Sequence, residues 1–245
     1  MSIPFIATKC YRNTYKEAVV TGCSSRYEDN ITWWLDCLRK SNSDLPIIFY
    51  DFGLSEAVRS ELRKTDNLLF ISDVFDGEEF KWSFKQRACI DSSRYAEKII
   101  WLDQDCEVFD SLYPVFAKCQ NFTDFVISRD APVLIYPGDK TTYFNQRQAG
   151  VFCCYSKNPI LQRWIDIQDH HLNDQVAISY LLDNKVLGVR DVILDIKYHW
   201  PRVFVKSYLD MNYDSPTIIH WTGKIGLQII ESRKIEAYRE SIKDD

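Results

Sequence analysis

Lys98-Ile-Ile-Trp-Leu-Asp-Gln-Asp-Cys-Glu-Val-Phe109 is the stretch from which the rest of the chain can be read. Ile99, Ile100, Trp101 and Leu102 form a short apolar run. It ends in two carboxylates one residue apart, Asp103 and Asp105, and apolar character resumes at Val108 and Phe109. A short run rich in β-branched and aromatic residues, bounded by polar ones, reads as a buried strand. Carboxylates at the C-terminal end of such a strand open onto the crevice where α/β sheets bind ligands. Two carboxylates with no neighbouring base repel each other unless a cation sits between them. Oxygen ligands of this kind suit a hard divalent ion, manganese or magnesium. The plainer alternative is a surface turn that happens to hold two aspartates.

The residues before this stretch alternate between strand and helix patterns. Glu17-Ala-Val-Val-Thr-Gly-Cys23 reads as a first strand, with Ser24, Ser25 and Arg26 as a loop. Ile31, Trp34, Leu35 and Leu38 recur at helical spacing behind Asn30, a natural N-cap. Pro46–Asp51 reads as a second strand and Asn67–Ser72 as a third. Ser55 caps a helix between them that turns Val58 and Leu62 inward. The order β-α-β-α-β favours a parallel sheet with right-handed crossovers. A helix is then predicted over Lys81 to Ala96, with Trp82, Lys85, Cys89, Ser92 and Ala96 on one stripe. A lysine on a sheet-facing stripe is unusual. Lys85 either snorkels to solvent or reaches a phosphate near the strand ends.

Beyond the stretch, Asp124–Ser128 reads as a strand, and residues 133–143 as a loop or irregular strand. The segment from Phe144 to Tyr155 turns from polar to apolar at Ala149-Gly150. Gly150 there either admits a ligand close to the backbone or serves as an ordinary turn glycine. Pro159 opens a helix lined by Ile160, Trp164 and Ile167, with His170-His171 at its end, where histidines serve the helix dipole. Asn173 caps a further helix with Asp174 and Gln175 in its first turn and Val176, Tyr180 and Leu181 inward. Val192–Ile196 and Val203–Val205 read as late strands flanking Trp200-Pro201. Thr217–Lys224 places His220 at the end of an apolar run, before Gly223 and Lys224. The tail from Ile225 carries Ile229, Ile230, Ile235 and Ile242 among charges and reads as an amphipathic helix, packed on the body of the protein or on a partner.

Composition narrows the function classes. The 245 residues are 46% hydrophobic, enough for one large α/β unit or two small ones. A net charge of −5 gives no broad electrostatic reason to expect nucleic acid. No apolar run approaches the ~20 residues that span a bilayer, so membrane association is expected to be peripheral at most. Met1–Cys10 lacks a charged start followed by an apolar core, so no secretory signal is read there. The eight cysteines form no Cys-x-x-Cys pair, and several fall inside apolar runs. They read as small buried hydrophobes in a reducing compartment, which points to the cytoplasm.

Four features occur in one order: an apolar strand ending Asp103-Gln-Asp105, an Ala149-Gly150-Val151 junction, Asn173-Asp-Gln175 opening a helix, and His220-Trp-Thr-Gly-Lys224. This combination resembles the GT-A nucleotide-sugar glycosyltransferases, nearest the glycogenin and bacterial galactosyltransferase group, over about Ala18 to Lys224. The resemblance implies an α/β, Rossmann-like GT-A domain over residues 1–245, with a central, mostly parallel sheet flanked by helices. Its nucleotide-binding part would cover about 15–110, its acceptor-side part about 111–224, and a helical tail 225–245. By the same resemblance Asp103, Asp105 and His220 would hold manganese or magnesium. Lys224 and Lys85 would contact the diphosphate. Thr21, Gly22 and Cys23 would face the base, Tyr27 would stack on it, and Gln104 would join the nucleotide site. Gln148, Ala149 and Gly150 would lie beside the donor sugar, with Asp174 and Gln175 near the anomeric carbon. The implied reaction is metal-dependent transfer of a hexosyl group from a UDP-sugar to a glycan or other hydroxyl acceptor, leaning toward retention. Two departures bear on the stereochemistry. Lys224 follows Gly223 directly, with no Pro-Trp after it, and Gln148 stands where an asparagine is usual, with Asn145 upstream.

Three other readings use part of the same pattern. A haloacid-dehalogenase-like phosphatase also has a strand followed by Asp-x-Asp. Its motif usually lies near the N-terminus, however, and has Thr or Val where Glu107 stands here. A sugar-phosphate nucleotidyltransferase would show a Gly-rich basic loop after the first strand, and Thr21-Gly-Cys-Ser-Ser-Arg26 has one glycine and one arginine. A non-catalytic nucleotide-sugar-binding module would keep the fold and lose the metal dependence.

Overall fold

A computed structural model describes residues 15–79, 81, 83–129, 146–168, 174–202, 205 and 215–241. The expectations for residues 133–143, Asn145, Trp82, His170, His171, Asn173, Val203, Phe204 and Ile242 lie outside these residues.

The first strands form where the apolar runs are longest. β1 (Tyr15–Cys23), β2 (Ile47–Asp51), β3 (Leu68–Ile71) and β4 (Ala96–Leu102) run parallel, joined through α1 (Ile31–Ser41), α2 (Glu56–Leu62) and α3 (Phe84–Asp91). β2 is buried at every position, as expected of a parallel strand covered on both faces. β6 (Asp124–Arg129), β7 (Arg147–Tyr155) and β8 (Arg190–Leu194) complete a seven-stranded sheet in the order β3-β2-β1-β4-β7-β6-β8. Only β7 runs against its neighbours, antiparallel to both β4 and β6. The sheet is thus mostly parallel, in an α/β arrangement.

A small second sheet of β5 (Cys106–Val108), β10 (Ile218–His220) and β9 (Trp200–Pro201) stands at the C-terminal end of β4. One face of the main sheet packs Trp34 and Leu38 of α1, Leu62 of α2, the small sheet and Ile230 of the last helix, Gly223–Ser241. The other face packs Ala88 and Cys89 of α3, Trp164 of α5 (Ile160–Gln168) and Leu181 of α6 (Asp174–Asp183). Each of the leucine and isoleucine side chains among these contributes about 1.5–3 kcal/mol when taken fully out of water. The seven described cysteines are buried and free. No described helix is long and apolar enough to cross a membrane.

Several local expectations are corrected. The helix over Lys81 to Ala96 begins only at Phe84, and after Asp91 it tightens into a 3-10 turn at Ser92–Arg94 that feeds β4. Ser25 and Arg26, read as loop, open a 3-10 helix over Ser25–Asn30, and Asn30 makes no side-chain capping bond to α1. Tyr180 is 47% exposed, because Ala177, Ile178, Leu181 and Leu182 already fill the buried face of α6. Ile196 opens a 3-10 turn instead of ending a strand, and Val205 is helical. Ile229 and Ile230 pack into the core, whereas Ile235 is exposed.

Candidate active site

The two carboxylates sit where β4 leaves the sheet. Asp103 N donates to Gly150 O at 3.0 Å, extending the β4–β7 ladder one residue past the strand. Trp101 Nε1 donates to Asp103 Oδ1 at 2.6 Å, and Trp34 Nε1 donates to the Asp103 backbone oxygen at 3.1 Å. The chain turns at once, with Cys106 N donating to Asp103 O, and re-enters as β5. Asp105 lies in that turn. β10 pairs antiparallel with β5, bringing His220 opposite Cys106, and Trp221 N donates to Asp105 O at 2.8 Å. Strand pairing therefore places His220 Nε2 3.0 Å from Asp105 Oδ1 and 3.9 Å from Asp103 Oδ2. Burial alone would depress the His220 pKa; Asp105 foremost, then Asp103, outweigh it and hold it above the ordinary value.

Behind His220 lies a buried chain of polar groups. His199 Nε2 is 2.9 Å from His220 Nδ1, and Ser128 Oγ is 2.7 Å from His199 Nδ1. Burial pushes the His199 pKa well below its usual value, and His220 beside it adds to the effect. Gly150 faces the other edge of the His220 ring. A Cβ at Gly150 would stand 2.3 Å from His220 Cε1, so the missing side chain makes room for the imidazole and not for a ligand.

Lys85 lies in the first turn of α3 with its side chain 11% exposed. Its Nζ is 3.0 Å from Asp103 Oδ1 and 3.4 Å from Asp174 Oδ2, and it donates to Ala149 O at 3.0 Å. Burial alone would depress this ammonium; Asp103 and Asp174 outweigh it and hold its pKa above the ordinary lysine range. The snorkelling alternative is thereby excluded. Asp174 opens α6, anchored by Trp164 Nε1 donating to its backbone oxygen and by Gln175 N donating to its Oδ1. The Gln175 amide is held at both ends: its oxygen accepts from Gln146 Nε2 at 2.9 Å, and its Nε2 donates to Gln148 Oε1 at 2.6 Å.

A cavity of about 760 Å³ opens onto these groups, with Asp103, Asp105, Lys85 and Asp174 along one part of its lining. Gly22, Cys23 and Tyr27 from the end of β1 and the following turn line another part, and Gln104 is also in the lining. Lys224 lines the cavity from the first turn of the last helix, after Gly223, whose φ of +72° suits glycine. Thr21 is different. Its hydroxyl is fully buried behind the wall, donating to Leu102 O at 2.7 Å and accepting from Gln104 Nε2 at 2.8 Å. Ala149 is buried and contributes its carbonyl to Lys85; Gln148 is buried against Gln175.

Reading the sequence missed His199, Ser128, Trp34, Gln146 and the indole of Trp101. The nearest signal was a histidine between two buried aromatics, Tyr198-His199-Trp200.

The oxygens and nitrogens here form a plausible donor set for a divalent ion. Among the described residues, Asp105, Cys106 and His220 present ligand atoms within 4.8 Å of one another. Burial raises the Cys106 thiol well above its usual pKa, and its Sγ lies against Gly150 O at 4.0 Å. Asp105 and His220 supply oxygen and nitrogen, with Asp103 adjoining. Two carboxylates and an imidazole suit manganese better than magnesium, which prefers oxygen alone.

No model of a known protein family matches the chain, and no curated protein matches it in sequence. Solved structures do match it. The galactosyltransferase LgtC, crystallised with donor and acceptor sugar analogs, superposes with a TM-score of 0.59 at 18% identity, over 84% of this chain and 87% of LgtC. The glycosyltransferase GlyE of Streptococcus pneumoniae TIGR4 gives 0.60 at 17% identity, over 85% of this chain and 56% of GlyE. The bifunctional glycosyltransferase WbbM gives 0.55 at 12% identity, over 86% of this chain and 46% of WbbM. The chain thus has the GT-A glycosyltransferase fold.

Proposed function

We propose that this protein is a metal-dependent glycosyltransferase that moves a hexosyl group from a nucleoside diphosphate sugar, a UDP-sugar foremost, to a hydroxyl of a glycan or other acceptor. One observation carries the reading. At the strand ends of a GT-A sheet, two carboxylates, an imidazole and a buried ammonium converge beside a cavity of about 760 Å³. The sugar analogs bound to LgtC support it by analogy of fold.

Asp103, Asp105 and His220 are the residues that would hold the ion. A divalent cation there would neutralise charge growing on a departing diphosphate. Lys85 and Lys224 add fixed or approaching positive charge on the same wall, where charge develops as the glycosidic bond to the leaving group breaks. Asp174 stands across Lys85 from Asp103, and its carboxylate would stabilise positive charge growing on the sugar carbon. Gln148 and Gln146 hold the Gln175 amide beside it. The nucleoside would occupy the arm lined by Gly22, Cys23 and Tyr27, with the Tyr27 ring available for stacking and Gln104 between base and ion.

Calorimetry with UDP, with and without manganese, tests the reading, together with a screen for slow hydrolysis across common UDP-sugars. Tight binding is expected only with the metal present. Equal affinity in both conditions, or no binding to any donor, sinks the assignment. Asp105→Ala should fold normally and lose metal-dependent turnover by about 100-fold or more.

A further inference from the structure

We propose that His199 and Ser128 form a positioning relay that orients the His220 ring and keeps Nε2, which faces Asp105, as the nitrogen an ion would take in exchange for its proton. The inference rests on the metal site proposed above and adds two residues to it.

Three contacts follow one another, the first two of them buried. Ser128 Oγ meets His199 Nδ1 at 2.7 Å, His199 Nε2 meets His220 Nδ1 at 2.9 Å, and His220 Nε2 meets Asp105 Oδ1 at 3.0 Å. A ring nitrogen facing another at 2.9 Å requires one proton between them. If His220 offers Nε2 to an ion, its one ring proton is on Nδ1 and is donated to His199. His199 Nε2 is then the acceptor, so its own proton is on Nδ1 and is donated to Ser128. The opposite order would put a proton on Nε2 of His220 and block ligation. A histidine that binds metal through one nitrogen has its tautomer set by the partner of the other. Here that partner is a second histidine, itself oriented by a hydroxyl.

Rotation of the His220 ring is also restrained. It stacks on His199 with centroids 5.0 Å apart and planes 27° apart, and Gly150 packs against its other edge. Ser128 lies on β6 in the main sheet, while His220 lies on β10 in the small one. The relay therefore reaches the imidazole from a strand of the main sheet.

Nitrogen-15 spectra of the histidine rings test the proton order directly, and the chain has only four histidines. With UDP and a diamagnetic divalent ion such as magnesium bound, His199 should carry its proton on Nδ1 and leave Nε2 bare. A His199 protonated at Nε2 overturns the relay. Manganese titration in the presence of UDP, followed by electron paramagnetic resonance, provides a second readout. His199→Leu should bind about 10–100-fold more weakly. His199→Gln, whose amide oxygen can still accept from His220 Nδ1, should recover most of the loss. Circular dichroism checks that both variants fold. Unchanged affinity in a folded His199→Leu protein overturns the relay. Wild-type protein that binds no manganese overturns the metal reading itself, whatever the tautomer.

Discussion

Gly150 shows how a site can depend on a side chain that is only a hydrogen. A Cβ there would fall 2.3 Å from Cε1 and 2.6 Å from Nδ1 of His220. Gly150→Ala must either push the ring away from Asp105 and His199 or shift β7. Overpacking of this kind costs about 1–3 kcal/mol, read from urea denaturation. The same variant should bind manganese at least about tenfold more weakly, in the range seen when a ligand's support is lost. Retention of wild-type affinity would mean that the ring can move without consequence. The sequence marks Gly150 as a close-approach position but cannot name the visitor, which comes from a strand seventy residues later. Lys85 was easier to find, because a lysine on a buried helical stripe is anomalous by composition alone. His199 carried no such mark. A histidine between two aromatics reads as core, and its meaning appears only when two strands pair.

Among the elements, β6 and β8 are tied at their entry by Asp124. Its carboxylate accepts from the backbone of Gln120 and Asn121 and takes a two-pronged contact from Arg190 at 2.7 Å each. Burial raises its pKa, but Arg190 and the two amides lower it further, so the net shift is downward. A depressed carboxylate gives stability that is present above its unfolded pKa of about 3.9 and lost as pH falls through the lower native value. Asp124→Asn should therefore cost about 2–4 kcal/mol near neutral pH. Its deficit against wild type should narrow as denaturation is followed below about pH 3. A deficit independent of pH would locate the effect in packing instead. The long strands β1, β2 and β4 were legible because apolar runs bounded by polar residues leave few alternatives. β5 was not, because three residues after a turn look like more of β4. Tyr180 misled because helical spacing from Val176 picks a stripe one position away from the one that Ala177, Ile178 and Leu181 bury.

For the molecule as a whole, the site predicts linked ligand binding. With manganese present, UDP near a hundred times its dissociation constant should add about 2.7 kcal/mol to stability beyond the effect of the metal, a rise in melting temperature of about 5–10 °C. Either one alone should give much less. Equal shifts from UDP with and without metal would separate the nucleotide site from the carboxylates. The fold was legible from a few positions in order, while overall likeness is thin: aligned structures share 12–18% identity. The strand pattern persists at that distance because pairing constrains it, whereas core residues exchange freely among apolar types. The last helix joins these scales. Glu107 accepts from Trp221 Nε1 at 2.8 Å and from Arg233 Nη1 at 2.9 Å, and Lys224 stands at the near end of that helix. Glu107 is also two residues beyond Asp105, on the short strand that follows the turn. Glu107 therefore anchors the helix that carries Lys224 to the strand that follows the carboxylate turn, so that one buried carboxylate sets the lysine and Asp105 in a common frame.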